Sequence, residues 1–143
     1  MELTRSFDVD KPVDVAARIA ARDETLTLLF EGAKTEIIER DGNQRTVRTH
    51  YTALGREGVA TFHFLFSDEG SIQFEKVCDG NVWRKLEGLV SFSKLEDGTR
   101  VTLHLTGSTK TLVPELAIRG PMQDQLDQMT EALRKRIEQS DAD

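Results

Sequence analysis

The chain has 143 residues, 38% hydrophobic and 31% charged, with a formal charge of −6. That length fits one domain spanning residues 1–143, with a core able to bury roughly two-thirds of the unfolded surface. The acidic balance argues against nucleic acid or an anionic membrane as a partner, and the single cysteine, Cys78, excludes an intrachain disulfide.

Leu3, Phe7 and Val9 alternate with polar residues, the period of a half-buried strand. Asp10-Lys11-Pro12 breaks it and opens a short helix, since proline is tolerated in a first turn. Val13, Ala16, Ala17 and Ala20 fall on one side of that helix. Asp23 is placed to cap a second short helix from Glu24 to Phe30, ended by Glu31-Gly32. Six strands follow: Thr35 to Arg40, Arg45 to Leu54, Val59 to Phe66, Ser71 to Cys78, Val82 to Leu95 and Thr99 to Thr109. Turns are expected at Asp41-Gly42-Asn43, Gly55 to Gly58, Asp68-Glu69-Gly70, Asp79-Gly80-Asn81 and Asp97-Gly98. After Gly120-Pro121 one amphipathic helix runs to Glu138, with Met122, Leu126, Met129, Leu133 and Ile137 forming an apolar stripe. The tail from Ser140 to Asp143 reads as frayed, and the cluster Arg134-Lys135-Arg136 sits where cations offset a helix dipole.

The turns fix a consistent set of registers. A three-residue loop at Asp79-Gly80-Asn81 sets Phe74 opposite Leu86 and Glu75 opposite Lys85. A two-residue loop at Asp97-Gly98 sets Phe92 opposite Leu103, Val90 opposite Leu105 and Gly88 opposite Gly107. Phe64 faces Phe74 across Asp68-Glu69-Gly70. Phe62, Phe64, Phe66, Phe74, Leu86, Val90, Phe92, Leu103 and Leu105 then share one face of one sheet. The last helix must cover that face.

The segments Asp8 to Val15, Trp83 to Gly88, Asp97 to Leu103 and the closing helix resemble the START-like superfamily, also called SRPBCC. Polyketide cyclases and lipid-transfer proteins are among its members. The resemblance covers nearly the whole chain. It implies an α+β helix-grip fold: a seven-stranded antiparallel sheet wrapped around a long C-terminal helix, with two short helices closing one end. It also implies an apolar cavity between sheet and helix. The chain departs from the family in the second short helix, which lacks the tryptophan-proline stretch that members often carry.

The expected cavity lining is Phe62, Phe64, Phe74, Phe92, Leu103, Met122, Leu126 and Met129, with Tyr51 in inward phase. Lys76 and Arg84 fall opposite one another on the inner face, where a ligand acid group could separate the two cations. The alternative is that both stems lie along apolar surface with their heads in water. Three histidines on separate strands, His50, His63 and His104, point outward and form no metal-ligand set. No inward carboxylate or histidine offers itself as a general acid or base, no residue is assigned a catalytic role, and no cofactor motif is present.

The first functional reading is binding or transport of a hydrophobic or amphipathic small molecule such as a lipid, isoprenoid or polyketide. The alternatives are a polyketide cyclase or dehydratase-like enzyme and a protein-interaction module without a ligand. Nothing in the sequence fixes the oligomeric state. The first residues lack the pattern of a secretory leader and no apolar run reaches the roughly 18 residues of a membrane span. A cytoplasmic protein without an integral membrane segment is expected.

Overall fold

The computed structural model describes residues 1–30, 32–53 and 56–140. In chain order the elements are β1 (Glu2–Val9), α1 (Val13–Ala20), α2 (Asp23–Leu28), β2 (Lys34–Asp41), β3 (Gln44–Ala53), β4 (Arg56–Phe66), β5 (Ile72–Lys76), β6 (Trp83–Leu95), β7 (Gly98–Thr109) and α3 (Glu115–Gln139). The strands form one antiparallel sheet in the order β1-β7-β6-β5-β4-β3-β2, wrapped around α3. This is the helix-grip arrangement expected from the sequence. Four expectations fall on residues outside the described ones: the end of the second helix at Glu31, the end of the strand at Leu54, the turn at Gly55 and the frayed tail 141–143. Gly58 itself lies in β4 opposite Tyr51, not in a turn.

The short helices follow local chemistry, with corrections. Pro12 stands just before α1 at φ −60° and ψ 154°, and its carbonyl accepts from the Ala16 amide at 2.9 Å. Ile19 joins Ala16, Ala17 and Ala20 on the buried side. Asp23 does not cap α2. It lies in the first turn, and its carboxylate reaches out to Arg40 at 2.7 Å and Arg45 at 3.9 Å. Thr25 is buried and donates to the Ile19 carbonyl at 2.6 Å, which ties the two helices together.

Phe64 faces Phe74 as the turn chemistry predicts. The next two hairpins are displaced by two residues. Phe74 faces Gly88 and Glu75 faces Glu87, because β5 stops at Lys76 and β6 starts only at Trp83. The expected Glu75–Lys85 pair is therefore absent, and Lys85 instead reaches Glu87 at 3.4 Å. In the following hairpin Leu95 faces Gly98, so Val90 meets Leu103 and Phe92 meets Val101. Gly98 belongs to β7 because of its own geometry. It has φ 148°, and a Cβ there would sit 2.1 Å from the Val9 carbonyl oxygen. Gly88 accordingly faces Leu105, and Gly107 faces Leu86. An even displacement leaves every side chain on its own face, so the apolar face survives: Phe62, Phe64, Phe74, Leu86, Val90, Leu103 and Leu105 are buried, while Phe66 and Phe92 are half-buried.

Helix α3 starts six residues before the expected Pro121, which lies inside it. Proline removes the bond to the Ala117 carbonyl, but only a turn and a half precedes it, so little helix is put at risk. The stripe Leu126, Met129, Leu133 and Ile137 is buried against the sheet. Lys11 finishes the helix by donating to the carbonyls of Ile137 and Ser140. The nearby cations pair with acids: Arg134 with Glu131 and Glu138, Arg136 with Glu24.

Candidate functional site

Among the described residues, two spaces between sheet and helix differ in kind. Under the middle of α3, Phe64, Phe74, Leu103, Met129 and Leu133 close on Leu26, Leu29, Ile72 and Val90, and the void left is about 10 Å³. That is no more than the least space a single water needs. Phe64 and Phe74 stack with centroids 5.4 Å apart, and Phe62 meets Phe74 edge-on at 6.5 Å. Phe74 fills the space above Gly88, where any Cβ would come within 2.0 Å of its ring. The expected deep cavity lined by Phe64, Phe74, Leu103, Leu126 and Met129 is thus filled by those residues themselves. The physical reason is the pair of leucines from the α2 region and the phenylalanine lying flat over a glycine.

The second space is a groove of about 670 Å³ at the end of the sheet beyond Phe62. The first half of α3 supplies Ile118, Pro121, Met122, Gln125 and Gln128. Strands β3 and β4 supply Thr49, Tyr51, Thr52, Ala60 and Phe62. The remaining walls are Phe30 and Ala33 after α2, Lys76 at the end of β5, and Gly80 to Trp83 with Leu86. Phe30 stacks on Phe62 with centroids 5.3 Å apart, making a continuous aromatic floor. Thr49 faces the groove but is satisfied, its hydroxyl 2.8 Å from that of Thr35.

Of the residues expected at the site, Tyr51, Phe62, Lys76 and Met122 meet in this groove. Tyr51 is 41% exposed at the rim, with its ring lying over Gly58. Lys76 pairs with Phe62 across the strands, is half-buried, and donates from Nζ to the Val77 carbonyl at 3.2 Å. Phe92 lies elsewhere, opposite Val101 towards the other end of β6.

Arg84 is a correction. The β6–β7 ladder steps from Trp83↔Thr109 to Lys85↔Ser108, so Arg84 is the extra residue of a bulge. The bulge turns Arg84 to the exposed side, where its guanidinium donates to the Thr111 hydroxyl at 3.1 Å. Trp83 takes the inward position, 8% exposed, with its indole against Gly107. Sequence phase misses Trp83 for the same reason it selects Arg84. The three-residue interval between the buried Trp83 and Leu86 is the trace a bulge leaves in a strand. Ile118 escapes a sequence reading that starts the helix at Pro121.

The electrostatics of the groove are simple. Among its described lining residues there is no carboxylate, histidine or thiol, and Tyr51 and Lys76 are the titratable groups. The carboxylates held below their usual range lie outside it: Asp8 through its hydrogen bond to Arg100, Asp23 through Arg40, and Glu131 through Arg134. The histidines face the outer side of the sheet: His63 Nδ1 lies 3.0 Å from the Thr46 hydroxyl and His104 Nδ1 2.7 Å from that of Thr4. Among the described residues no group of three or more histidine, cysteine or acidic side chains is placed to hold a metal ion. No described helix is long and apolar enough to cross a membrane.

No protein-family model matches the chain, and no curated protein matches it by sequence. Solved structures do match. An aromatase/cyclase from Streptomyces superposes with a TM-score of 0.81 at 16% identity, covering 96% of this chain and 93% of that one. A START superfamily protein from Mycobacterium smegmatis gives 0.75 at 20% identity, covering 96% and 97%. The STAR-related lipid transfer protein of Xanthomonas axonopodis gives 0.67 at 14% identity, covering 96% and 86%. At these identities the likeness is one of fold, and the chain has the helix-grip fold of the START-like (SRPBCC) proteins.

Proposed function

We propose that the protein binds a hydrophobic or amphipathic small molecule in the groove between Phe62, Trp83 and the first half of α3. The observation that carries this reading is the contrast between the two spaces. The interior beneath Met129 is filled to about 10 Å³, whereas the groove keeps about 670 Å³ beside an aromatic and aliphatic wall. That volume lies in the range of small-ligand sites. Solved proteins of the same fold include one named for lipid transfer and one named as an aromatase/cyclase. The lining favours binding over catalysis. Proton transfer to a bound chain needs a positioned acid or base, and the described lining offers only Tyr51 and Lys76 for that work.

Trp83 is the only tryptophan of the chain and forms part of the wall. Its emission therefore reports occupancy directly. Decanoic and naphthylacetic acids and their methyl esters should shift that emission saturably. Ile118→Glu, which places a charge in the wall, should weaken all of them. Leu65→Ser, on the outer face, should not. Absence of any saturable change with all four compounds in the folded protein would refute the binding reading.

A further inference from the structure

We infer that the ligand is a carboxylic acid with a hydrophobic body, and that Lys76 is the residue that selects its acid group. The inference rests on the binding reading above and concerns the chemistry of the same groove. Lys76 shares the inner phase of β5 with Ile72 and Phe74, which are 3% and 5% exposed. The strand therefore directs it towards the core side, where the half-buried side chain holds a charge partly withdrawn from water. The usual remedy is a paired carboxylate, yet none of the described residues lining the groove carries one. The polar residues that α3 supplies to the same groove are Gln125 and Gln128, which are neutral. Several outer arginines pair with acids, as at Arg40–Asp23, Arg100–Asp8 and Arg134–Glu131. The half-buried lysine of the groove is left to a backbone carbonyl, that of Val77 at 3.2 Å.

The donor count narrows the class. An ammonium has three donors, and the Val77 carbonyl takes one. Two remain, which suits one carboxylate. A phosphate monoester carries roughly −1.5 to −2 charges near neutral pH. It would bring charge that no second cation among the groove's described lining residues offsets, because the bulge at Arg84 sends that guanidinium to Thr111 on the exposed side. The wall of Phe62, Trp83 and Met122 takes the hydrophobic body.

The test compares decanoic acid, methyl decanoate and decyl phosphate by Trp83 emission, at a pH well above the carboxylate range. The acid should bind about tenfold or more tightly than the ester, the size expected of a hydrogen bond to a charged group. Decyl phosphate should bind more weakly than the acid. Lys76→Met should bring acid and ester within about twofold of each other, while Lys76→Arg, which keeps the charge, should retain most of the preference. Arg84→Met should leave the preference intact. Equal binding of acid and ester by the unaltered protein overturns the inference, while the ester's own binding upholds the groove. Tightest binding by decyl phosphate, or a preference that survives Lys76→Met, overturns it in the same way. Failure of all three compounds to bind overturns the groove reading and this inference together.

Discussion

Gly88→Ala tests whether the interior is filled in the way the packing implies. The new Cβ would stand 2.0 Å from Phe74 Cζ and 2.4 and 2.6 Å from its Cε atoms. Non-bonded carbons rest about 3.5–4.0 Å apart, so the ring must move by roughly 1.5 Å. It has nowhere easy to go, since it is stacked on Phe64 at 5.4 Å and edge-on to Phe62 at 6.5 Å. Overpacking of a closed core costs about 1–3 kcal/mol, and disturbing the aromatic pairs adds about 0.5–1.5 kcal/mol. The expected loss is therefore about 2–4 kcal/mol, or about 5–15 °C in Tm for a domain of this size. Equilibrium urea unfolding followed by far-ultraviolet circular dichroism would measure it. Phe74→Leu removes the ring atoms that clash, so the double variant should recover at least about 1 kcal/mol relative to the sum of the single changes. A Gly88→Ala protein within about 0.5 kcal/mol of the parent, or strictly additive effects, would refute the account of a packed interior.

Two further outcomes follow from the same structure. Leu126→Asp should cost several kcal/mol, because Leu126 is 1% exposed and would bury an unpaired carboxylate. Asp127→Ala should cost no more than about 1 kcal/mol, since its bond to Arg5 is an exposed ion pair; similar urea midpoints for the two would mean that the wrong ridge of α3 faces the sheet. Stability should also fall below about pH 4. Asp8, Asp23 and Glu131 are held below their usual range in the folded protein, so their contribution is present above the unfolded carboxylate value and lost as pH falls through the lower folded one. Replacing all three by their amides should flatten that acid limb, by a modest amount because the pairs are exposed; an unchanged limb would place the acid sensitivity elsewhere.

The fold is legible wherever a period of two or of three to four residues can be followed between clear turns. The Phe64–Phe74 register needs only the turn ending in Gly70, and the stripe from Leu126 to Ile137 needs only helical spacing. The later hairpins slip by two residues because the extent of a loop is not written in its turn residues. The connection after Lys76 runs to Val82, and Gly98 joins β7 owing to its approach to Val9, a contact between distant parts of the chain. Local grounds make Asp23 a cap, but Arg40 and Arg45 on β2 and β3 compete for its carboxylate. Proline is costly in a helix interior, so the sequence places the helix start at Pro121. The structure tolerates it because it lies only a turn and a half from the N-terminus.

The site is half legible, and one residue explains most of the difference. A strand carried through in phase from Leu86 places Arg84 inward beside Lys76 and predicts a groove with two cations and no indole. The bulge at Arg84 exchanges neighbours: Trp83 goes in against Gly107, and Arg84 goes out to Thr111. The exchange is favourable on general grounds. It buries a large aromatic surface and returns a guanidinium to water, instead of holding two cations together in a poorly solvated space. It also changes what the groove can hold. Two inward cations would suit a phosphate or a dicarboxylate, whereas Lys76 as the one cation among the described lining residues, sharing the groove with an indole and two glutamines, suits a single carboxylate on an apolar body. The selectivity argued for Lys76 is thus a consequence of backbone geometry on the neighbouring strand, at a position where sequence periodicity is silent.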